Sequence, residues 1–243
     1  MRGLKKPEPA SCGCHGEGHG DPSAVPLSRR RLLGATLAGL AAGLAMPAAA
    51  RAQSTKSPDE ALQALMDGNQ RFVERKLTFY QDDLTILQQS TAEKQEPFAS
   101  VLSCADSRVP VELLFDQSIG HVFVNRVAGN IATTEIIASI EYGAAVLGAK
   151  VIMVLGHGNC GAVKAAIDAK AVPGQISSLY RFIRPAINAA GANLQAASEA
   201  NAKIQAQLLR ESSPLLAGMI KAGSLSVVAA FFDVASGKVT LLG

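Results

Sequence analysis

The chain reads as an α/β protein, one domain with a mostly parallel central sheet flanked by helices, a C-terminal β-hairpin and an N-terminal helical arm. Three observations predict this. Lys150 to Leu155 (Lys-Val-Ile-Met-Val-Leu) is a near-continuous apolar run, as expected of a central parallel strand covered on both faces. Such strands alternate with helical stretches of roughly 10 to 15 residues, the pattern of a doubly covered parallel sheet. The chain then closes with two short apolar runs, Leu225 to Phe232 and Val239 to Leu242, around a turn at Ala235-Ser236-Gly237, which predicts the hairpin.

The first element follows Ser57-Pro58-Asp59-Glu60, a capping box with proline at the first helical position. Leu62, Leu65, Met66, Asn69, Phe72 and Val73 then recur at helical spacing, with Asn69 the only polar residue on the stripe. That face predicts core, or a cover for a partner subunit. Tyr80 to Glu96 is polar and poorly periodic and reads as loop and short helix. Phe98 to Ser103 predicts a strand, Pro110 to Phe115 one or two helical turns, His121 to Val127 a strand and Thr134 to Leu147 a buried helix. Residues 160–170, 179–190, 193–210 and 212–222 read as helices. No internal repeat and no second folded domain is apparent.

The amino terminus has a different character. Ser28-Arg29-Arg30-Arg31-Leu32-Leu33 is a twin-arginine run leading into an apolar stretch to about Met46, followed by the A-x-A site Ala50-Arg51-Ala52. The apolar part is short for a membrane span, which needs ~20 residues, so residues 1–52 read as an export signal by the twin-arginine route. The mature domain is then 53–243, periplasmic or secreted; an uncleaved anchor is the alternative, against which the cleavage site argues. Cys12-Gly13-Cys14-His15 with His19 could bind metal on spacing alone but falls in the leader.

Charge follows the same boundary. The whole chain carries 23 basic and 20 acidic residues, net +3, but seven of the basic ones and three of the acidic ones precede residue 53. The mature part therefore holds 16 and 17, net −1, which gives no support to a nucleic-acid or anionic-membrane partner, since such partners require a basic face.

Only Cys104, Cys160, His121 and His157 remain of the cysteines and histidines after the leader. Two lone cysteines in an exported protein would ordinarily suggest one disulfide. Their neighbours point elsewhere: Cys104-Ala105-Asp106-Ser107-Arg108 and His157-Gly158-Asn159-Cys160 together hold two thiols, an imidazole, a carboxylate and a guanidinium. Two Cys and one His are an attested ligand set for catalytic zinc, which keeps a fourth position for water. Cys104 and His157 each end an apolar strand, and open α/β sheets form their sites outside the carboxyl ends of strands, so the two half-sites should converge. Cys160 is expected in the first turn of the next helix, and Gly156, Gly158 and Gly161 are expected to let backbone crowd a metal.

Cys104-x-Asp106-x-Arg108 followed by His157-x-x-Cys160 resembles the signature of the β-class carbonic anhydrases. Val124-Asn125-Arg126-Val127-Ala128-Gly129-Asn130 resembles the family's intervening segment, and the likeness spans about residues 57–243. The resemblance implies Zn2+ on Cys104, His157 and Cys160, reversible hydration of CO2 to bicarbonate by a zinc-bound hydroxide, and homodimers or larger homo-oligomers. It implies that Asp106 either ligates zinc in a closed state or pairs with Arg108 in an open one, and that Gln95 matches an amide that binds substrate. Where some members have tryptophan three residues before the first zinc cysteine, forming an inhibitory bicarbonate site, this chain has Val101 and no tryptophan. Phe115, Val127 or partner residues are candidates for an apolar wall, and His121 for a proton shuttle. Carbonyl sulfide or carbon disulfide hydrolysis on the same site, and a non-catalytic zinc- or bicarbonate-binding protein, are the alternatives.

Overall fold

The computed structural model describes residues 54–78, 83–89 and 91–243. The leader read over 1–52, with its cysteines and histidines, lies outside them, as does the start of the Tyr80–Glu96 stretch. Among the described residues no helix is long and apolar enough to cross a membrane.

The elements are α1 (Pro58–Val73), α2 (Asp83–Gln89), β1 (Ala99–Ser103), α3 (Val111–Leu114), β2 (Val122–Arg126), α4 (Thr134–Glu141), β3 (Val151–His157), α5 (Gly161–Asp168), α6 (Tyr180–Ala190), α7 (Leu194–Ser212), α8 (Pro214–Lys221), β4 (Ser226–Phe232) and β5 (Val239–Leu242). The strands form one sheet in the order β2-β1-β3-β4-β5, parallel except for β5, which pairs antiparallel with β4 as the predicted hairpin. Every residue of β1 and β3 is buried, which is why β3 reads as an unbroken apolar run.

The order matters for function. From β1 the chain crosses to β2 on one side, and later enters β3 on the other side of β1. The gap between the carboxyl ends of β1 and β3 is therefore a topological switch point, where crossover segments diverge and leave a crevice.

Apolar cores form on the two faces. Ala61, Leu65, Phe98, Val111 and Phe115 pack with Val101, Met153 and Leu155 on one; Ile140, Ala202, Ala206, Leu209 and Leu216 pack with Leu102, Ile152 and Val154 on the other. The N-terminal helix thus serves as core of its own chain, with Ala61, Leu65, Gly68 and Asn69 buried. It starts as the capping box requires: Ser57 Oγ accepts the Glu60 N–H at 3.2 Å and the Glu60 carboxylate accepts the Ser57 N–H at 2.6 Å. Asn69 sits on the apolar stripe because it is a clasp. Its Nδ2 donates to Leu114 O at 3.1 Å and Gly237 O at 3.0 Å, while its Oδ1 accepts the Val239 N–H at 2.8 Å, tying α1 to α3 and the hairpin.

Two expectations change in detail. The helix expected over 134–147 is α-helical only to Glu141 and continues as a π-helical turn, Tyr142–Val146, where a Cβ on Gly143 would come within 2.8 Å of the Phe123 ring. Phe115 is fully buried beneath α1 in the core with Leu65, and Phe115 is not among the residues packed around the two cysteines.

Candidate metal centre

Cys104 leaves β1 one residue past the Ser103–Leu155 pairing, and His157 ends β3, so adjacent strands deliver both to the switch point. A left-handed Asn159 (φ 54°) then turns the chain so that Cys160 becomes the N-cap of α5, one residue ahead of the first turn expected. The result is a cluster in which the ligand atoms of Cys104, His157 and Cys160 all lie within 4.8 Å of one another. The three residues are 4%, 0% and 1% exposed, and the cysteines are not in a disulfide.

The donor set fits zinc. Two thiolates bound tetrahedrally to one ion at about 2.3 Å stand about 3.8 Å apart, within the 4.8 Å that bounds the ligand atoms here. His157 Nδ1 lies 3.0 Å from Gly158 O, the hydrogen bond that fixes a ligating histidine's tautomer and leaves Nε2 with a bare lone pair. Nε2 is buried and has no hydrogen-bond partner among the described residues, a costly condition that a metal relieves. The two thiols lie against one another, which favours the thiolate at Cys104 and disfavours it at Cys160. The Gly129 N–H, 3.3 Å from Cys104 Sγ, further favours the Cys104 thiolate.

Asp106 and Arg108 border this cluster. The guanidinium grips the carboxylate through Nε at 2.9 Å and a terminal nitrogen at 2.8 Å, and the Arg108 N–H adds a third bond at 3.0 Å. These bonds hold the Asp106 carboxyl well below the usual carboxylate range. The other Asp106 partner is His157, whose Nε2 lies 3.9 Å from Oδ2, so the paired carboxylate stands at the rim of the metal position. Arg108 also donates to Asn159 O at 3.1 Å, joining the two half-sites.

Some contributors were invisible as single residues in the sequence. Arg126 donates to Cys104 O at 3.1 Å and Asp106 O at 2.6 Å, pinning the β1 loop from the neighbouring strand. Its place at the end of β2, beside β1, was the available signal. Of the three glycines expected to make room for metal, Gly156 is required by close packing against α7, since a Cβ would meet Ser198 O at 3.0 Å. Gly158 and Gly161 have ordinary space around them.

Other expected participants are not brought to the cluster within one chain. Gln95 is exposed and precedes β1, lining a cavity of about 650 Å3 with Leu87, Ile119, Val122 and Tyr142. His121 precedes β2, beside Phe98. Both lie at the amino end of the sheet, a five-residue strand or ~16 Å from the metal position.

The family model described as Carbonic anhydrase matches residues 99–239. The carbonic anhydrase of Mycolicibacterium smegmatis is 37% identical over 194 residues, covering 76% of this chain and 93% of that protein. The chain belongs to the β-class carbonic anhydrases. Among solved members, the Coccomyxa β-carbonic anhydrase in complex with acetazolamide is 28% identical, covers 74% of this chain and 86% of its own, and superposes with a TM-score of 0.58. One of two tetrameric β-carbonic anhydrases from Sordaria macrospora shares the fold at 24% identity and a TM-score of 0.59, covering 66% of this chain and 90% of its own. Zinc is the family's cofactor, and the Cys104, His157 and Cys160 cluster fits it.

Proposed function

We propose that this β-class carbonic anhydrase interconverts carbon dioxide with bicarbonate and a proton, using zinc held by Cys104, His157 and Cys160. The observation that carries the reading is the buried His157 Nε2, without a hydrogen-bond partner among the described residues, beside two thiols at the switch point, with an arginine-held carboxylate at its rim. When bound, zinc lowers the pKa of a coordinated water, less far than on an all-histidine site because the two thiolates add negative charge.

The chain's own residues do the rest. Asp106 accepts the hydrogen bond of the attacking water and turns its lone pair toward the substrate carbon. It can do so because Arg108 occupies both carboxylate oxygens from the side and keeps Asp106 from taking the metal position itself. Val127, packed against the cluster that holds both cysteines, gives neutral CO2 an apolar wall. Gln95 orients CO2 for a second copy of the chain, since its own metal position is at the far end of the sheet; the tetrameric Sordaria relatives support a homo-oligomer. The leader over 1–52 sends the domain through the twin-arginine machinery to the periplasm or beyond, and replacing Arg29 and Arg30 by Lys should leave folded precursor in the cytoplasm.

A stopped-flow CO2 hydration trace tests the activity. The zinc-replete mature protein should accelerate hydration, lose that acceleration on chelation and regain it with added zinc. Zinc-replete protein inert toward CO2 but hydrolysing carbonyl sulfide or carbon disulfide would transfer the assignment to those substrates.

A further inference from the structure

The helix α7 carries a row of buried polar side chains on a face otherwise made of Ala197, Ala202, Ala206 and Leu209. Ser198, Asn201 and Gln205 are 2%, 0% and 1% exposed. Burying a primary amide is costly unless its donors and acceptor are met, so each of these side chains should answer to something specific. The Ser198 hydroxyl donates to Leu194 O in its own helix at 2.7 Å. The two amides reach out of the helix instead, to the backbone between β2 and α4. Asn201 Nδ2 donates to Gly129 O at 2.8 Å, and Gln205 Oε1 accepts the Ala132 N–H at 2.9 Å. Gln205 Nε2 donates to Phe182 O at 3.1 Å and to Asn201 Oδ1 at 3.3 Å, so the orientation of one amide sets that of the other.

The residue that Asn201 grips is the one that touches the metal centre. Gly129 has φ +79°, and a Cβ there would meet Ile183 Cδ1 at 2.9 Å, so this backbone is confined against α6. Its N–H points at Cys104 Sγ, 3.3 Å away. We propose that Asn201, braced by Gln205, is a positioning residue of the metal centre: by holding Gly129 O it aims the Gly129 N–H at the Cys104 sulfur and so sets how much charge that thiolate gives to zinc. The inference rests on the zinc site proposed above. A hydrogen bond donated to a thiolate withdraws charge from it, and outer groups of this kind tune a metal's affinity and Lewis acidity.

Cobalt-substituted protein gives a readout that a merely structural role would not move, the energy of the thiolate-to-cobalt charge-transfer band. In Asn201→Leu and in the isosteric Asn201→Asp, the band should shift to longer wavelength as Cys104 becomes more electron-rich, while the loosened loop no longer holds the Cys104 sulfur in place and zinc affinity should fall about tenfold. Ser198→Ala, which removes a buried polar group from the same helix face without touching the loop, should leave both unchanged. A wild-type band position in folded Asn201 variants, or an equal shift in Ser198→Ala, overturns the inference while leaving the zinc site standing. Absence of any thiolate-to-cobalt band in the wild type overturns both. Should neither Asn201 variant fold, the wild type loaded with a spin-active cadmium isotope decides: a coupling from cadmium to the Gly129 amide proton is expected, and its absence overturns the inference.

Discussion

The two ends of the parallel sheet are built differently. At the carboxyl end, Cys104 and His157 come from the ends of β1 and β3 and Cys160 from the N-cap of α5; all three are almost fully buried, Cys104 is held by Arg126 and Gly129, and His157 by the Gly158 carbonyl. At the amino end, Gln95 is exposed in a cavity bordered by half-exposed Ile119 and Tyr142. A metal site must fix its ligand atoms to a few tenths of an ångström, which buried strand ends and a helix cap do better than an exposed loop. Ordering a neutral substrate demands less, which is why the proposed role of Gln95 can be played by a residue that reaches a site only across an assembly.

Arg108→Ala should break the first region most severely without removing its metal. With the guanidinium gone, the Asp106 carboxylate is free to move onto zinc, so zinc content should persist while hydration falls by about a hundredfold or more. Near wild-type turnover by this variant at mildly alkaline pH would show that Arg108 holds nothing open.

Gln95→Ala should cost less, about tenfold in CO2 hydration with full zinc content, because it removes substrate positioning alone. Mixing sharpens the comparison. If Gln95 serves a second copy, hybrids of Gln95→Ala and Arg108→Ala chains contain one intact site each, and activity should exceed that of either parent. Hybrids no more active than the parents would place Gln95 outside the site altogether, or in its own chain's site.

Stability variants separate the scaffold from both ends. Asn69→Leu strands Leu114 O, Gly237 O and the Val239 N–H in the core, and should cost about 2 to 3 kcal/mol by denaturant unfolding with zinc content unchanged. An unaltered midpoint would mean the clasp is redundant. The smallest effect belongs to the exposed capping box. The Ser57 N–H and hydroxyl hold the Glu60 carboxyl below its ordinary value, so the folded state binds fewer protons there than the unfolded chain. This contribution is complete above the usual carboxylate range and fades as pH falls through the lowered value. Wild type should therefore exceed Glu60→Ala slightly in Tm at neutral pH, with the gap closing on acidification; a gap that widens in acid would contradict the cap.

What the sequence made legible was whatever is written in short spacing. The fully buried β3 betrays itself as an apolar run, the capping box announces α1, and the C-x-D-x-R and H-x-x-C spacings at strand ends reveal the ligands. Contacts distant along the chain were not legible. Asn201 reaches Gly129 across 72 positions, so its amide looked like one more polar residue on a helix. Phe115 was a plausible wall for the site until its packing beneath α1 showed otherwise, and the close approach of Gly143 to Phe123 joins residues of two elements twenty positions apart.

The central claim is that adjacent strand ends of one chain assemble a zinc site from Cys104, His157 and Cys160. Metal analysis of the purified mature protein, paired with thiol titration before and after chelation, tests it most directly. The account predicts one zinc per chain and two cysteines that react only once the metal is removed. Active, metal-free protein with a Cys104–Cys160 disulfide would contradict it.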